Sequence, residues 1–173
     1  MRCALIPLIA FSLFAAACQG QTGPPPASSP SARADAPSTK PVPVSPPPVR
    51  PPDALASHNT NWAGVVADVT EFRRKGNVLT AIVRLRNQAR DTAVIQVRFS
   101  QMSVIDEAGA KKYEVLKDDK DDYIASSGQM EGLVGGGTMT VWMKFPAPPR
   151  EVRTATLVVP QMPPFESLSI QDQ

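Results

Sequence analysis

Beyond Cys18 the chain holds no cysteine, and His58 is its one histidine. The first absence denies residues 57–173 a disulfide, a thiol nucleophile and a thiolate metal ligand, so that region must be held by packing alone. The second leaves a serine or cysteine nucleophile without an internal imidazole base, since His58 lies at the near edge of the region. Charge of one sign is missing as well. The chain has 18 Lys and Arg against 16 Asp and Glu, and Arg2, Arg33, Lys40, Arg50, Asp35 and Asp53 precede residue 57, which leaves 14 of each sign behind them. A neutral region carries no broad positive field of the kind that phosphate backbones reward, so the pI near 8.7 does not argue for nucleic acid. No stretch repeats apolar residues at helical spacing.

The first third of the chain is organised by composition. Met1-Arg2-Cys3 is a short positive start, Ala4 to Phe14 is apolar apart from Pro7 and Ser12, and Ala15-Ala16-Ala17 is a run of small residues. These are the parts of a cleavable export signal over residues 1–17. The apolar run falls short of the roughly 20 residues that a membrane-spanning helix requires. Leu13-Phe14-Ala15-Ala16-Ala17-Cys18 resembles the lipobox of bacterial lipoproteins, with Ala15 where leucine is usual. The resemblance implies cleavage before Cys18, acylation of Cys18 with palmitate-type chains, and a membrane anchor at that residue. Gln19 stands where an aspartate would mark inner-membrane retention, so the implied location is the outer membrane, facing the periplasm or the surface. An ordinary signal peptidase cutting at the same bond is the alternative. It would leave a free thiol in an oxidising compartment, which disfavours it.

Residues 18–56 read as a tether. Between Gly20 and Ala56 lie 12 of the 19 prolines, among them Pro24-Pro25-Pro26, Pro46-Pro47-Pro48 and Pro51-Pro52. Proline removes amide donors and fixes φ, so a disordered, polyproline-rich spacer without a core is expected here.

After His58 the pattern becomes that of strands. Trp62 to Phe72 alternates Val65, Ala67 and Val69 against Val66, Asp68 and Thr70, and Val78 to Asn87 sets Leu79, Ala81, Val83 and Leu85 on one face. From Ala93 to Ile105 the apolar phase runs through Ile95, Val97 and Phe99 and then shifts to Met102 and Val104, as a bulge or a strand passing between sheets requires. Asp106-Glu107-Ala108-Gly109 is a turn across which Lys111 to Leu116 pairs back. A strand with Met139, Val141, Met143 and Phe145 on one face follows Gly135-Gly136-Gly137, and Val152 to Val159 and Leu168 to Ile170 complete the set. Short strands at such spacing predict one all-β domain over residues 57–173, an immunoglobulin-like antiparallel β-sandwich, with Trp62 and Trp142 in its core or at its rim. Asp106 to Asp118, Gly137 to Pro149 with its Lys-Phe-Pro-Ala-Pro-Pro, and Pro164-Phe165-Glu166 resemble an uncharacterised immunoglobulin-like domain. That domain occurs in bacterial lipoproteins and ahead of the peptidoglycan-binding domain of some outer-membrane-protein-A-type proteins. The likeness spans about residues 75–170 and implies fold and location, but no reaction.

Candidate chemistry is sparse. Arg84 and Arg86 share the polar face of one strand, and Arg98 would join them if its strand were an antiparallel neighbour. Such a stripe would suit an anionic glycan, a lipid head group or an acidic protein partner. Long side chains shielding apolar sheet surface are the reading the residue types favour over a binding stripe. Asp118-Asp119-Lys120-Asp121-Asp122 offers oxygens for calcium but lacks the glycine of a calcium loop and places Lys120 where a ligand belongs, so a solvated turn is expected. Gly135-Gly136-Gly137 leads into a strand, with no P-loop lysine, and reads as a turn. A Ser-Lys pair built on Ser126 or Ser127 carries no motif with it. The expectation is a lipid-anchored envelope module that works by protein or glycan contact, with no catalysis and no cofactor. A structural spacer or an enzyme inhibitor is the alternative.

Overall fold

The computed structural model describes residues 47–127 and 130–173. The expected export signal at 1–17, Cys18 and the expected tether as far as residue 46 lie outside the described residues. Strands follow in chain order as β1 (Ala56–Asn59), β2 (Val65–Lys75), β3 (Val78–Asn87), β4 (Ala93–Gln96), β5 (Ser103–Asp106), β6 (Lys111–Glu114), β7 (Met130–Leu133), β8 (Thr138–Pro146), β9 (Thr154–Val158), β10 (Phe165–Ser169) and β11 (Gln171–Asp172). One sheet runs β1-β2-β3-β8, a second runs β10-β9-β5-β6, and β4 pairs with β7 alone. All pairings are antiparallel except that of β11, which runs parallel to β2 on the edge it shares with β1. The order β2-β3-β8 against β10-β9-β5-β6 is the A-B-E and G-F-C-C′ order of an immunoglobulin-like sandwich, with the chain crossing between these sheets after β3, β6, β8 and β10.

The alternation in β3 and β8 places the core. Leu79, Ala81, Val83 and Leu85 are buried, and the antiparallel register sets them opposite Phe145, Met143, Val141 and Met139. Phe72, Phe165, Leu157 and Val104 come from the other strands to fill the same interior. Each such side chain contributes about 1.5–3 kcal/mol when fully removed from water, which replaces the missing disulfide. β2 changes face midway. A bulge at Thr70 shifts its register against β3 between Val69 and Glu71, so Val65, Ala67 and Val69 face the core before it, while Phe72 and Arg74 do so after it. The phase shift between Phe99 and Met102 has a comparable cause: a 3-10 turn at Phe99–Gln101 ends the run from β4, and β5 starts in the second sheet.

Two expectations need correction. Trp62 packs against the core edge, but Trp142 points to the outer side of the first sheet and is 37% exposed. The stretch expected to be free tether as far as residue 56 is already seated at 47–56. Ala54 is buried, the Leu55 amide donates to the Val69 carbonyl at 2.7 Å, and β1 begins at Ala56. Proline content removes amide donors without preventing side chains of a neighbouring sheet from fixing the segment.

Candidate functional site

Arg84 and Arg86 do share the outer face of β3, and both are engaged. Asp68, opposite Arg84 on β2, is fully buried and accepts from Ser57 Oγ at 2.6 Å and from Arg86 Nε at 2.5 Å and Nη2 at 3.1 Å. Arg84 grips Asp53 with both terminal nitrogens, at 2.7 and 3.0 Å, while its Nε stands 3.6 Å from Asp68. The hydrogen bond from Arg84 holds the Asp53 carboxyl below the ordinary carboxylate range, and Asp53 in return raises the Arg84 pKa. Arg86 also donates to the Val49 carbonyl, and Arg50 to that of Leu55. The result is a strap: residues 49–55 are tied to the sheet through Arg86 to Val49, Arg84 to Asp53 and the Leu55 amide to Val69.

Arg98 stands apart from this pair. The neighbours of β3 are β2 and β8, and the segment after β4 carries Arg98 to a cleft on the inner side of the sheet, where it meets Gln96 Oε1 at 3.0 Å. The expected three-arginine stripe is therefore two arginines, each already holding a carboxylate. Their common face follows from strand alternation. Their partners come from another strand and from the tether, which alternation within one strand does not reveal.

The other candidates resolve into local structure. In the acidic loop, Asp118 Oδ1 accepts the amides of Lys120 and Asp122, and Lys117 pairs with Asp121 at 2.9 Å, which raises the Lys117 pKa. The carboxylates thus tie the turn, and among the described residues no group of three or more His, Cys, Asp or Glu is arranged to hold a metal ion. Gly135-Gly136-Gly137 is the turn into β8, with Gly136 at φ +72°. Ser126 exchanges hydrogen bonds with the Trp142 backbone. His58 lies in β1 with its ring 4.8 Å from that of Phe165.

Two residues that the sequence did not single out do more to build the domain. Arg74 is buried by the bulge and donates to the carbonyls of Pro148, Pro149 and Val152 and, through Nε and Nη2, to both oxygens of Asp172, so it fastens β11 to the crossover after β8. Asn87, also buried, donates to the carbonyls of Asp91 and Leu133 and accepts from the Ala89 amide.

On the outer face, β8 presents Thr138, Thr140 and Trp142 to solvent beside Arg86, Arg84 and Ile82 of β3. Lys144 lies 6.0 Å from the Trp142 ring. An exposed aromatic plane among hydroxyls and cations can stack on an apolar plane and hydrogen-bond around it. No protein-family model, curated protein or solved structure matches this chain.

Proposed function

We propose that the protein is a binding or adaptor module of the bacterial cell envelope, anchored in the outer membrane through a lipid on Cys18 and acting by protein or glycan contact without catalysis. The lipobox resemblance supports the anchor. The observation that carries the contact role is the outer face of the first sheet, where Trp142 is 37% exposed among Thr138, Thr140 and Lys144. Buried tryptophans serve cores, whereas exposed ones flanked by polar groups are enriched where proteins meet partners. Arg84 and Arg86 then act as fixed neighbours of that face, oriented by Asp53 and Asp68.

A photo-crosslinking residue placed at position 142 of the full chain, with one at the exposed Glu166 of the opposite sheet as control, tests this in intact cells. A defined adduct at 142 and none at 166 is the expected result. No adduct at either position would favour the spacer reading. The anchor is tested separately by the mass of the N-terminal peptide from membrane-extracted protein, which should begin at an acylated Cys18.

A further inference from the structure

The grip of Arg84 on Asp53 has the form of a ligand held in its site. Both terminal nitrogens of Arg84 donate to the two Asp53 oxygens, at 2.7 and 3.0 Å, and four residues earlier the Val49 carbonyl accepts from Arg86 Nη2 at 3.3 Å. Such a forked pair is the geometry by which arginine recognises a carboxylate. Its setting is open, with the Asp53 side chain 57% exposed and that of Arg84 26%. Exposed ion pairs add little to stability, so this one is exchangeable. The two arginines differ in what lies behind them. Arg86 is fixed by Asp68 through Nε and Nη2, a bond that does not involve the strap. Arg84 Nε, in contrast, is buried without a hydrogen-bond partner, 3.6 Å from the same Asp68. A buried charged donor left unpaired is costly, and a small turn of the guanidinium toward Asp68 would pair it. The strap thus holds Arg84 where the sheet alone would not place it. Arg84 lies opposite Thr140 of β8, and Trp142 is two residues along on the same outer face, opposite Ile82. Cross-strand diagonals of this kind are about 7 Å apart, within reach of aromatic and long side chains. Glu71, also opposite Ile82 but on β2, is paired with Arg73 at 3.3 Å.

We propose that Asp53 is a tethered stand-in for an acidic peptide, which displaces it from the Arg84 fork and sets an aromatic or apolar side chain against Trp142. The proposal rests on the outer face being the contact surface and adds the chemistry of its partner. A peptide is favoured because the present occupant is one: a carboxylate on Arg84 and a main-chain carbonyl on Arg86, both from the short run Val49–Asp53. In an extended peptide, residues two apart lie about 6.6 Å from each other on one side, which matches the diagonal from Arg84 to Trp142. The pattern that fits is therefore an acidic residue, any residue, then an aromatic or apolar one. A carboxylate alone is not enough. Asp53 competes from the same chain at an effective concentration of about millimolar, so the incoming peptide needs the second contact. Its apparent affinity is scaled down by the fraction of chains whose Asp53 is off Arg84, which makes the strap a gate.

Calorimetric titration of the full chain with the end-blocked peptide Ser-Asp-Ser-Phe-Ser at low ionic strength tests it, with Ser-Asn-Ser-Phe-Ser as the uncharged counterpart. Asp53→Asn should bind the aspartate peptide about tenfold or more tighter than the parent does, because the competing carboxylate is gone. The asparagine peptide should bind both chains weakly and alike. Adding Arg84→Lys to Asp53→Asn keeps the charge but loses the fork, and should remove most of the preference for the aspartate peptide. Adding Trp142→Ala instead should weaken both peptides. Equal affinity of the parent and Asp53→Asn, or no preference for the aspartate peptide in Asp53→Asn, would overturn the gate. If position 142 still gives its crosslinked adduct in cells when the peptide fails, the outer face keeps its contact role without Arg84; failure of the adduct as well would withdraw the face itself. Concentration-dependent dimers of the parent without peptide binding would assign Arg84 to the strap of a second copy and overturn the reading.

Discussion

The side chains that matter most here are polar ones placed where a strand pattern predicts apolar residues. Asn87 ends the inward row of β3 and is 2% exposed. Its amide nitrogen donates to the carbonyls of Asp91 and Leu133 and its oxygen accepts the Ala89 amide, so one side chain ties the segment after β3 to the end of β7. Replacing it with alanine leaves those three backbone groups without this partner, the Leu133 carbonyl in a buried place and the other two in partly buried ones. A loss of about 2–3 kcal/mol is expected from such a deletion, lowering the melting midpoint by about 10 °C. Asn87→Asp is the sharper comparison, since its shape is the same but a carboxylate cannot donate. It should melt at least as low as Asn87→Ala at neutral pH. If Asn87→Asp instead melted with the parent in calorimetry, the amide donors would have no structural role.

Among the elements, the strands with long apolar rows were readable and the short edge pieces were not. β3 and β8 bury every second residue, so period-two alternation alone finds them and their inner faces. β1, with four half-buried residues, and the two-residue β11 are defined by backbone pairing to β2, which leaves no hydrophobic row to read. β7 is hidden in another way, because Gly132 interrupts its pattern. The candidate site divides along the same line. Arg84 and Arg86 were visible as a pair on one face, whereas Asp68, Asp53 and Arg74 act through partners distant in sequence, and the bulge at Thr70 reverses the face on which Arg74 would be expected. The glycine turn into β8 offers a test at this scale. A Cβ on Gly135 would overlap the Arg90 carbonyl and crowd that of Ala89, both of them backbone, while one on Gly136 would meet open space and suffer only from its φ of +72°. Gly136→Ala should therefore cost about 1–2 kcal/mol, the usual penalty for that conformation. Gly135→Ala should cost more, because the loop after β3 must move. Denaturant titration of both variants orders them, and equal midpoints would show that the loop yields freely.

At the scale of the whole molecule, the ion pairs with shifted carboxyls sit outside the apolar core, on the segments that lead into and out of it. Asp53 lies on the strap and faces Arg84 and Arg86; Asp172 lies on β11 and faces Arg74, Arg153 and Arg150. In each case the hydrogen bond from the nearest arginine, Arg84 or Arg74, is the main reason that the carboxyl pKa is lowered. A carboxyl that is more acidic in the folded than in the unfolded chain adds stability above its ordinary value, about 3.9 for aspartate, and that contribution disappears as the pH falls through the lowered folded value. The inner rows of β3 and β8 contain no carboxyl, so acid removes nothing directly from the contacts between them. Acidification below about pH 4 should thus free the strap and β11 first and leave the sandwich closed. Hydrogen exchange of the full chain, followed by mass spectrometry over a pH series and corrected for intrinsic rates, should show protection lost at residues 50–56 and 170–173 while Leu79 to Leu85 stay protected. Asp53→Asn and Asp172→Asn should each produce the matching half of that pattern at neutral pH, the first at the strap and the second at β11. Loss of protection in all strands together would mean that the two segments are integral to the cooperative core, and unchanged protection at both would mean that backbone pairing alone holds them.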